Sequence, residues 1–332
     1  MNESEFMPPT APSCPSIPSD AVYDVIIIGG GPAGLSAALV LGRCRRKVLV
    51  IDAGEQRNRS SHAMHGYLSR DGVCPKEMLE LCRAQVSEYP TVTLLQGCVV
   101  DAERTDEGCF TATTSDGARY QSRKMLLATG VVDVIPEIPG LPELYGSCVH
   151  HCPICDGYEW RDHPIAVYGK GTSGVGLVQE MMAWSRDLVL CTDGASNLDP
   201  LVRENLHSLG IVVREEPVHR LESIDGKLTR IHFGDGSAVP CHALFFCTPQ
   251  FKAGAVASKL GCQFTEDGCI WTGDCETTNV PGLYCAGDVS RNAQMVIVAA
   301  SEGAQAAVNI NKMLTAEYKE AIRSAMAVSK SQ

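Results

Sequence analysis

The amino-acid sequence predicts an α/β protein with two three-layer domains, each built on a parallel sheet, the first assembled from two separate segments. A β-branched apolar run at 23–28 ends in a glycine-rich turn at 29–34, and helix-forming residues follow at 33–41. The same order of apolar run, glycine-rich turn and helical segment returns at 165–184. This order is typical of the start of a Rossmann-like nucleotide-binding domain, so we expect two such domains.

Proline-rich and glycine-rich segments indicate where the domains meet. LLATG at 126–130 is followed by three prolines, which suits a crossing between domains, and a second crossing is expected near 248–250. GLYCAGD at 282–288 and an alanine-rich helix at 296–314 would complete the first domain. We therefore expect a disordered leader at 1–20, a first domain formed by 21–133 and 251–332, and a second domain at 134–250 that resembles a pyridine-nucleotide domain.

Composition and charge exclude several classes of function. The chain has 28 Lys and Arg residues against 39 Asp and Glu residues, a formal net charge of −11, so we expect no nucleic-acid partner. No apolar stretch approaches the roughly 18 residues of a membrane span, and the start does not resemble a secretory signal. We expect a cytoplasmic protein without a membrane partner. Its 16 cysteines should therefore be reduced and mostly buried.

The first glycine motif, GGGPAG at 29–34, fits the pattern G-x-G-x-x-G between a strand and a helix. Gly29 permits a tight turn, Gly31 lets the backbone approach a pyrophosphate, and Gly34 lets helix and strand pack closely. Asp52, at the end of the next apolar run, is placed to accept ribose hydroxyls. A glycine turn without a ligand is the alternative. We expect a dinucleotide to contact Gly29, Gly31, Pro32, Ala33, Gly34 and Asp52.

The segment GLYCAGD favours FAD over NAD as that dinucleotide. Its apolar strand ends at Asp288, whose carboxylate can hold the ribityl chain of a flavin, while the next helix points its N-terminus at the ring system. An acidic helix cap is the alternative for Asp288. His62 and His65 either line the flavin pocket or are solvated loop residues. The remaining expected FAD contacts are Thr129, Gly130, Gly287, Gln294 and Met295.

The sequence HHCPICD at 150–156 is the densest chemical cluster in the chain. Cys152 and Cys155 have the spacing that closes into a redox-active disulfide, and neighbouring imidazoles lower a cysteine pKa from about 8.5. Asp156 can supply or take the proton when the pair opens and closes. His151 is either a base or a packed, hydrogen-bonded residue. Zinc is the alternative, but there is no second C-x-x-C to complete four ligands, so no metal is expected.

These motifs, in this order, resemble the low-molecular-weight thioredoxin reductase family over residues 23 to about 314. The resemblance implies a homodimer of two-domain subunits, FAD in the domain formed from both chain ends, and a dithiol on the middle domain. It assigns Cys155 to contact the flavin, Cys152 to attack the partner disulfide and Asp156 to donate the proton. A thioredoxin-like protein or a small dithiol is the implied substrate.

One departure from the family bears on the electron donor. In the pyridine-nucleotide reductases of the family, the strand after the second glycine motif ends in His-Arg-Arg, whose arginines hold the 2′-phosphate of NADPH. Here Leu190, Cys191 and Thr192 stand there, followed by Asp193. A thiol and a hydroxyl replace neither the charge nor the bidentate hydrogen bonds of arginine, so we expect NADPH to be a poor donor. Met295 also stands where the family usually has glutamine.

Subgroups without the arginines include deeply rooted thioredoxin reductases, ferredoxin-dependent flavin thioredoxin reductases, and dithiol oxidases of the gliotoxin and holomycin type. Two directions of electron flow therefore stay open. A reductase would take electrons from ferredoxin or another donor and pass them to a substrate disulfide, whereas an oxidase would pass electrons from a dithiol to oxygen. His151 resembles the oxidases and Asp156 resembles the reductases. A non-catalytic redox sensor is the third hypothesis, and the intact pair beside an acid disfavours it.

Overall fold

The computed structural model describes residues 22–247, 250–252, 254–291 and 293–330, so the leader expected at 1–20 lies outside the described residues. Within these ranges the chain folds as two compact units. The first unit comprises residues up to 56, residues 78–131 and residues from 252 onward, and the second comprises 57–77 and 132–251. Residues 57–77 therefore belong to the second unit, although they lie inside the first segment predicted for the first domain. The predicted domain boundaries themselves stay predictions.

Strands and helices alternate along much of the chain. The strands are β1 (Val22–Ile28), β2 (Val48–Asp52), β3 (Val92–Gln96), β4 (Val99–Arg104), β5 (Phe110–Thr114), β6 (Arg119–Leu127), β7 (Val131–Asp133), β8 (Val149–His150), β9 (Ile165–Tyr168), β10 (Leu188–Cys191), β11 (Val212–Arg214), β12 (Val218–Ile224), β13 (Lys227–Phe233), β14 (Ala238–Pro240), β15 (Ala243–Phe246), β16 (Gln250–Lys252) and β17 (Leu283–Cys285). The helices are α1 (Pro32–Arg43), α2 (Pro75–Ser87), α3 (Pro153–Asp156), α4 (Gly171–Glu180), α5 (Pro200–Ser208), α6 (Gly254–Lys259) and α7 (Val296–Lys330).

The first unit is built on a seven-stranded sheet with the order β3-β2-β1-β6-β5-β4, and β17 also pairs with β6. Strands β1, β2, β3, β6 and β17 pair in parallel, whereas β4 and β5 are antiparallel. In β1, Val25 and Ile27 pack in the cluster that contains α1 and α7, and Ile26 and Ile28 pack in the cluster on the opposite face. Both faces of β1 are buried from Val25 to Ile28, which explains the uninterrupted apolar run there.

The second unit repeats this plan with a five-stranded parallel sheet, β11-β10-β9-β15-β8. One face packs against α4 and α5, and the other packs against the antiparallel sheet β12-β13-β14. The two crossing strands, β7 and β16, pair with each other. The predicted α/β class with parallel sheets is therefore confirmed.

Helix α7 runs from Val296 to Lys330, beyond the residue 314 at which the sequence pattern predicts its end. Its first half packs on α1, where Gly303 lies so close to the carbonyl oxygen of Ala33 that a Cβ atom would overlap it. The contact requires glycine at 303 and brings the C-terminal segment against the first glycine turn. Within the described residues, no helix combines the length and the hydropathy that crossing a membrane requires.

Candidate active site

The glycines of the first motif separate into two kinds by what surrounds them. A Cβ atom on Gly29 would overlap the carbonyl oxygen of Ala128, and one on Gly34 would overlap the carbonyl oxygen of Gly29, so the fold itself requires both. Gly29 also has φ +107°, a conformation that favours glycine. A Cβ atom on Gly31 meets nothing within 4 Å. The protein does not need glycine there, and the open space is where a ligand can approach the backbone.

The surroundings of this open space fit the pyrophosphate of a dinucleotide. Gly31 is the N-cap of α1, no side chain caps the helix, and its first turn holds no acidic residue, so the positive helix end is available to an anion. Close by, just after the end of β6, the hydroxyl of Thr129 is buried and has no hydrogen-bond partner among the described residues. The neighbouring Gly130 has φ +63° and open space around it. A buried hydroxyl of this kind is costly unless a ligand satisfies it.

Asp52, at the end of β2, lies beside the same turn. Its carboxylate accepts hydrogen bonds from the backbone N–H of Gly30 (3.1 Å), from Nε2 of Gln56 (3.2 Å) and from the guanidinium of Arg83 (3.0 Å). Each carboxylate oxygen has two lone pairs, so Asp52 can still accept a ribose hydroxyl. The sequence analysis missed Arg83, which comes from α2 and has no motif of its own.

A network of two buried carboxylates and a partly exposed arginine fixes the C-terminal part of the cradle. Gly287 has φ +88° and lies against Ala33 of α1. Its N–H donates to the buried carboxylate of Glu302 (2.7 Å), which also pairs with Arg291 (3.0 Å). Arg291 in turn binds the buried Glu276, whose pKa burial raises above its usual range. These charges anchor the Gly-Asp turn to α7, and the sequence analysis missed all three.

The other predicted flavin contacts belong to the same segment. Asp288 follows Gly287 directly, and its carbonyl oxygen lies 3.5 Å from Nε2 of Gln294. Met295 immediately precedes α7. The first unit thus contains every residue predicted to bind the dinucleotide, and their individual roles stay predictions.

Cys152 and Cys155 form a disulfide with a Cα–Cα distance of 5.3 Å. Cys152 is the N-cap of α3, and its Sγ accepts a hydrogen bond from the N–H of Cys155 at 3.2 Å. Pro153 at the first helical position favours this start because it needs no hydrogen-bond acceptor there. An N–H aimed at Sγ stabilises negative charge, so Cys152 is the cysteine better suited to be a thiolate.

The second unit places a histidine between Asp156 and an indole. His150 is 6% exposed, and its Nδ1 lies 3.3 Å from Oδ1 of Asp156. The indole N–H of Trp160 donates to Nε2 of His150 at 3.0 Å, and the imidazole packs against Phe245 with ring centroids 5.3 Å apart. The sequence analysis singled out Asp156 but not the orientation of His150 or the part of Trp160.

His151 points into a different cluster. Its Nδ1 lies 3.1 Å from the hydroxyl of Tyr145, and its Nε2 lies 3.7 Å from the buried carboxylate of Asp133. Arg57 binds Asp133 through two contacts of 2.7 Å. Burial lowers the pKa of His151, and burial together with the Asp133 charge raises the pKa of Tyr145 to about 12. His151 is thus held neutral and hydrogen-bonded, and its role as a base stays a prediction.

The two loop histidines lie in segment 57–77 of the second unit. His62 is exposed. His65 lies 3.4 Å from Asp71 and 3.6 Å from Glu159, and Glu159 follows the redox pair closely in sequence. In the part of the chain that the structure describes, no three His, Cys, Asp or Glu side chains converge in a way that could hold a metal ion.

The second glycine motif shares the close glycine contact of the first but not its backbone conformation, because Gly31 has φ −78° and is the N-cap of α1, whereas the N-cap of α4 is Lys170. Gly169 and Gly174 are in close contact, so a Cβ atom on Gly174 would meet the carbonyl of Gly169, whereas Gly171 has φ +56° and open space around it. The departure from the NADPH-dependent reductases lies after the glycine motif, at the end of β10. Cys191 and Thr192 are buried, and the Thr192 hydroxyl donates to the carbonyl oxygen of Gly194 at 2.7 Å.

The acidic residues beyond β10 are committed to contacts within the protein. Asp193 accepts from the N–H of Val218 and from the hydroxyl of Tyr168, both at 2.9 Å. Glu215 accepts from Arg203 at 2.6 Å and from Ser196. The Ser196 hydroxyl and N–H, followed by Arg203, lower the pKa of Glu215 to about 2. Arg203 is therefore paired, and each carboxylate oxygen of Asp193 accepts a hydrogen bond from within the protein.

A helix-capped dinucleotide cradle and a redox disulfide on a second nucleotide-type unit define a flavin-dependent disulfide oxidoreductase. Residues 23–304 match the model of the pyridine nucleotide-disulphide oxidoreductase family. A probable thioredoxin reductase from Arthroderma benhamiae is 32% identical over 267 residues, 72% of this chain and 66% of that protein. Thioredoxin reductase tcpT of Claviceps purpurea is 32% identical over 280 residues, 80% of this chain and 86% of that protein.

The crystal structure of HlmI has the same fold, with a TM-score of 0.89 and 36% identity over 93% of this chain and 98% of HlmI. The chain belongs to the pyridine nucleotide-disulphide oxidoreductase family, and its cofactor is FAD. The expected resemblance to thioredoxin reductases and the two Rossmann-type domains are confirmed. The protein is an FAD-dependent thiol–disulfide oxidoreductase.

Proposed function

We propose that the enzyme exchanges electrons between its Cys152–Cys155 pair and a substrate disulfide, with a donor other than NADPH. The observation that carries the proposal is the end of β10, where Cys191 and Thr192 are buried and Asp193 and Glu215 place negative charge. Charge-assisted hydrogen bonds contribute about 1.5–3 kcal/mol each, so losing two weakens binding of the 2′-phosphate by roughly two orders of magnitude or more. The carboxylates of Asp193 and Glu215 also repel the 2′-phosphate.

Thiol–disulfide exchange at the pair balances without a further reagent. The Cys152 thiolate attacks one sulfur of the substrate disulfide, the substrate S–S bond breaks, and the departing thiolate takes a proton from Asp156. The Cys155 thiolate then attacks Sγ of Cys152, which releases the second substrate thiolate and closes the Cys152–Cys155 disulfide. FAD, once reduced by the proposed donor, would supply the two electrons that reopen the pair. These residue roles are part of the proposal.

The proposal also includes a substrate, an electron donor and an oligomeric state. A thioredoxin-like protein is the proposed substrate, which the names of both fungal relatives support, and ferredoxin or a similar low-potential protein is the proposed donor. The proposed assembly is a homodimer in the cytoplasm. Sedimentation of the FAD-loaded protein at micromolar concentration would reveal a monomer if the assembly is wrong.

The second candidate is the reverse reaction, in which a small dithiol reduces the pair and oxygen accepts the electrons. The specific observation that favours it is the same acidic end of β10, because a protein that cannot use NADPH efficiently can still receive electrons through Cys152 and Cys155. Oxidation of a dithiol by oxygen is downhill, so no further donor is needed.

Anaerobic rapid mixing separates the two candidates. The FAD-loaded protein is mixed in turn with NADPH, NADH, reduced ferredoxin and dithiothreitol while bleaching of the flavin absorbance is followed. Fast bleaching by ferredoxin supports the reductase, and fast bleaching by the dithiol followed by rapid reoxidation in air supports the oxidase. Fast bleaching by micromolar NADPH would overturn the proposal that NADPH is a poor donor.

A further inference from the structure

The hydrogen bonds around His150 determine which of its nitrogens carries the proton. The Trp160 indole nitrogen is a donor only, so Nε2 of His150, at 3.0 Å, must accept. The carbonyl oxygen of Ser147, 3.2 Å from Nε2, is an acceptor and would favour a hydrogen there, but the indole N–H and the Asp156 carboxylate both favour a hydrogen on Nδ1 instead. A hydrogen on Nε2 would leave the indole N–H without its acceptor and would set the Nδ1 lone pair against the Asp156 carboxylate. The imidazole therefore carries a hydrogen on Nδ1.

A hydrogen on Nδ1 points at Oδ1 of Asp156, 3.3 Å away. This contact holds one carboxylate oxygen and leaves the other for proton exchange. The histidine itself is held on several sides, because it is buried, hydrogen-bonded to Trp160 and packed against Phe245. Asp156 lies at the end of α3, a helix of one turn, and therefore depends on such a contact for its orientation.

We propose that His150, with its tautomer set by Trp160, is a positioning residue that orients Asp156 for proton transfer to the sulfur leaving the substrate disulfide. The inference rests on the proposed role of Asp156 as the acid. The proton that protonates the departing thiolate comes from Asp156, and His150 keeps its own Nδ1 hydrogen throughout. His150 therefore affects only substrates whose leaving thiolate needs that proton.

Two disulfide probes make this distinction measurable. The thiolate that leaves bis-hydroxyethyl disulfide is strongly basic and needs a proton, whereas the aromatic thiolate that leaves DTNB is stable without one. The FAD-loaded protein, with its pair reduced anaerobically by light, is mixed with each probe, and thiol release is followed in a single turnover. Flavin absorbance and thermal unfolding are recorded for every variant.

The variants separate orientation from folding. His150→Leu should slow the alkyl disulfide about tenfold or more and leave the DTNB rate within about twofold, because Asp156 loses the hydrogen bond that orients it. His150→Asn puts an amide N–H at the position of Nδ1 and should recover most of the rate. Trp160→Phe should give an intermediate rate. The matched control is His219→Leu, which removes an exposed histidine and should match the unsubstituted protein.

Asp156→Asn distinguishes failure of this inference from failure of the proposed function. If Asp156→Asn keeps the native alkyl rate, the proposed acid is wrong. If Asp156→Asn is slow but His150→Leu is not, or if His150→Leu slows both probes equally, or if His150→Asn is as slow as His150→Leu, the positioning role is overturned. Nitrogen-15 NMR of the histidine-labelled FAD-loaded protein should show a hydrogen on Nδ1 of His150, and one on Nε2 would contradict the inference directly.

Discussion

Gly31 allows ligand binding to be tested separately from folding. A Cβ atom there meets no protein atom within 4 Å, and φ −78° and ψ −172° suit any residue. Gly31→Ala should therefore cost the flavin-free protein only the N-cap preference for glycine, about 1 kcal/mol. The matched control is Gly34→Ala, which drives its Cβ atom into the backbone of Gly29 and should destabilise the protein by about 2–3 kcal/mol.

Gly31→Ala should weaken FAD binding even though it changes the stability of the flavin-free protein only slightly. A methyl group on residue 31 occupies the space that the pyrophosphate needs, so at least one amide–phosphate hydrogen bond is lost. Such bonds contribute about 1.5–3 kcal/mol, so the dissociation constant for FAD should rise roughly 10- to 150-fold.

The assay uses flavin-free protein. Quenching of FAD fluorescence during titration gives the dissociation constant, and urea unfolding of the flavin-free variants gives the free energy of unfolding. The reasoning is refuted if Gly31→Ala binds FAD as tightly as the unsubstituted protein, or if its free energy of unfolding falls as far as that of Gly34→Ala.

Three further substitutions test the disulfide, the electron donor and the His151 cluster. Cys155→Ser should keep its FAD absorbance and lose disulfide turnover, and retained turnover would assign the chemistry to another pair. Glu215→Gln weakens the exposed ion pair that holds Arg203, so NADPH should bleach the flavin about threefold faster, and an equal gain for NADH would contradict this reading. Because burial lowers the pKa of His151, the folded protein keeps its full stability above the ordinary value of 6.5 and loses stability as the pH falls and the histidine takes up a proton. His151→Gln removes this group and should therefore lose less thermal stability than the unsubstituted protein between about pH 7.5 and 5. An equal loss in both proteins would contradict this interpretation.

Local requirements explain which parts of the fold the sequence predicts well. The turn at 29–34 needs particular glycines, and β1 is buried on both faces, so motif and apolar run coincide with the observed strand and helix start. The antiparallel strands β12–β14 have one exposed face and mixed polarity, and their sequence pattern does not predict them. The end of α7 is missed because residues after 314 continue with helix-forming side chains that bury little surface.

Long-range pairing explains what the sequence analysis misses in the site. Glu302 is a single acidic residue in an alanine-rich helix, and its importance appears only when Gly287 and Arg291 are brought against it. His150 and Trp160 are close in sequence, but their hydrogen bond depends on the short turn of helix at Tyr158–Trp160. The sequence pattern does not predict this turn. One signal was present for Glu302, since it directly precedes the glycine that packs on α1.

The contact between α1 and α7 determines when the protein can acquire its cofactor during synthesis. The glycine turn is synthesised more than 250 residues before its partners Gly287 and Gly303, which lie 253 and 269 residues after Gly34. The second unit is complete in sequence before them, so the unit whose chain starts first finishes last. We therefore expect the first unit to bind flavin only after α7 has been synthesised, so a chain that stops before Glu302 should bind no flavin.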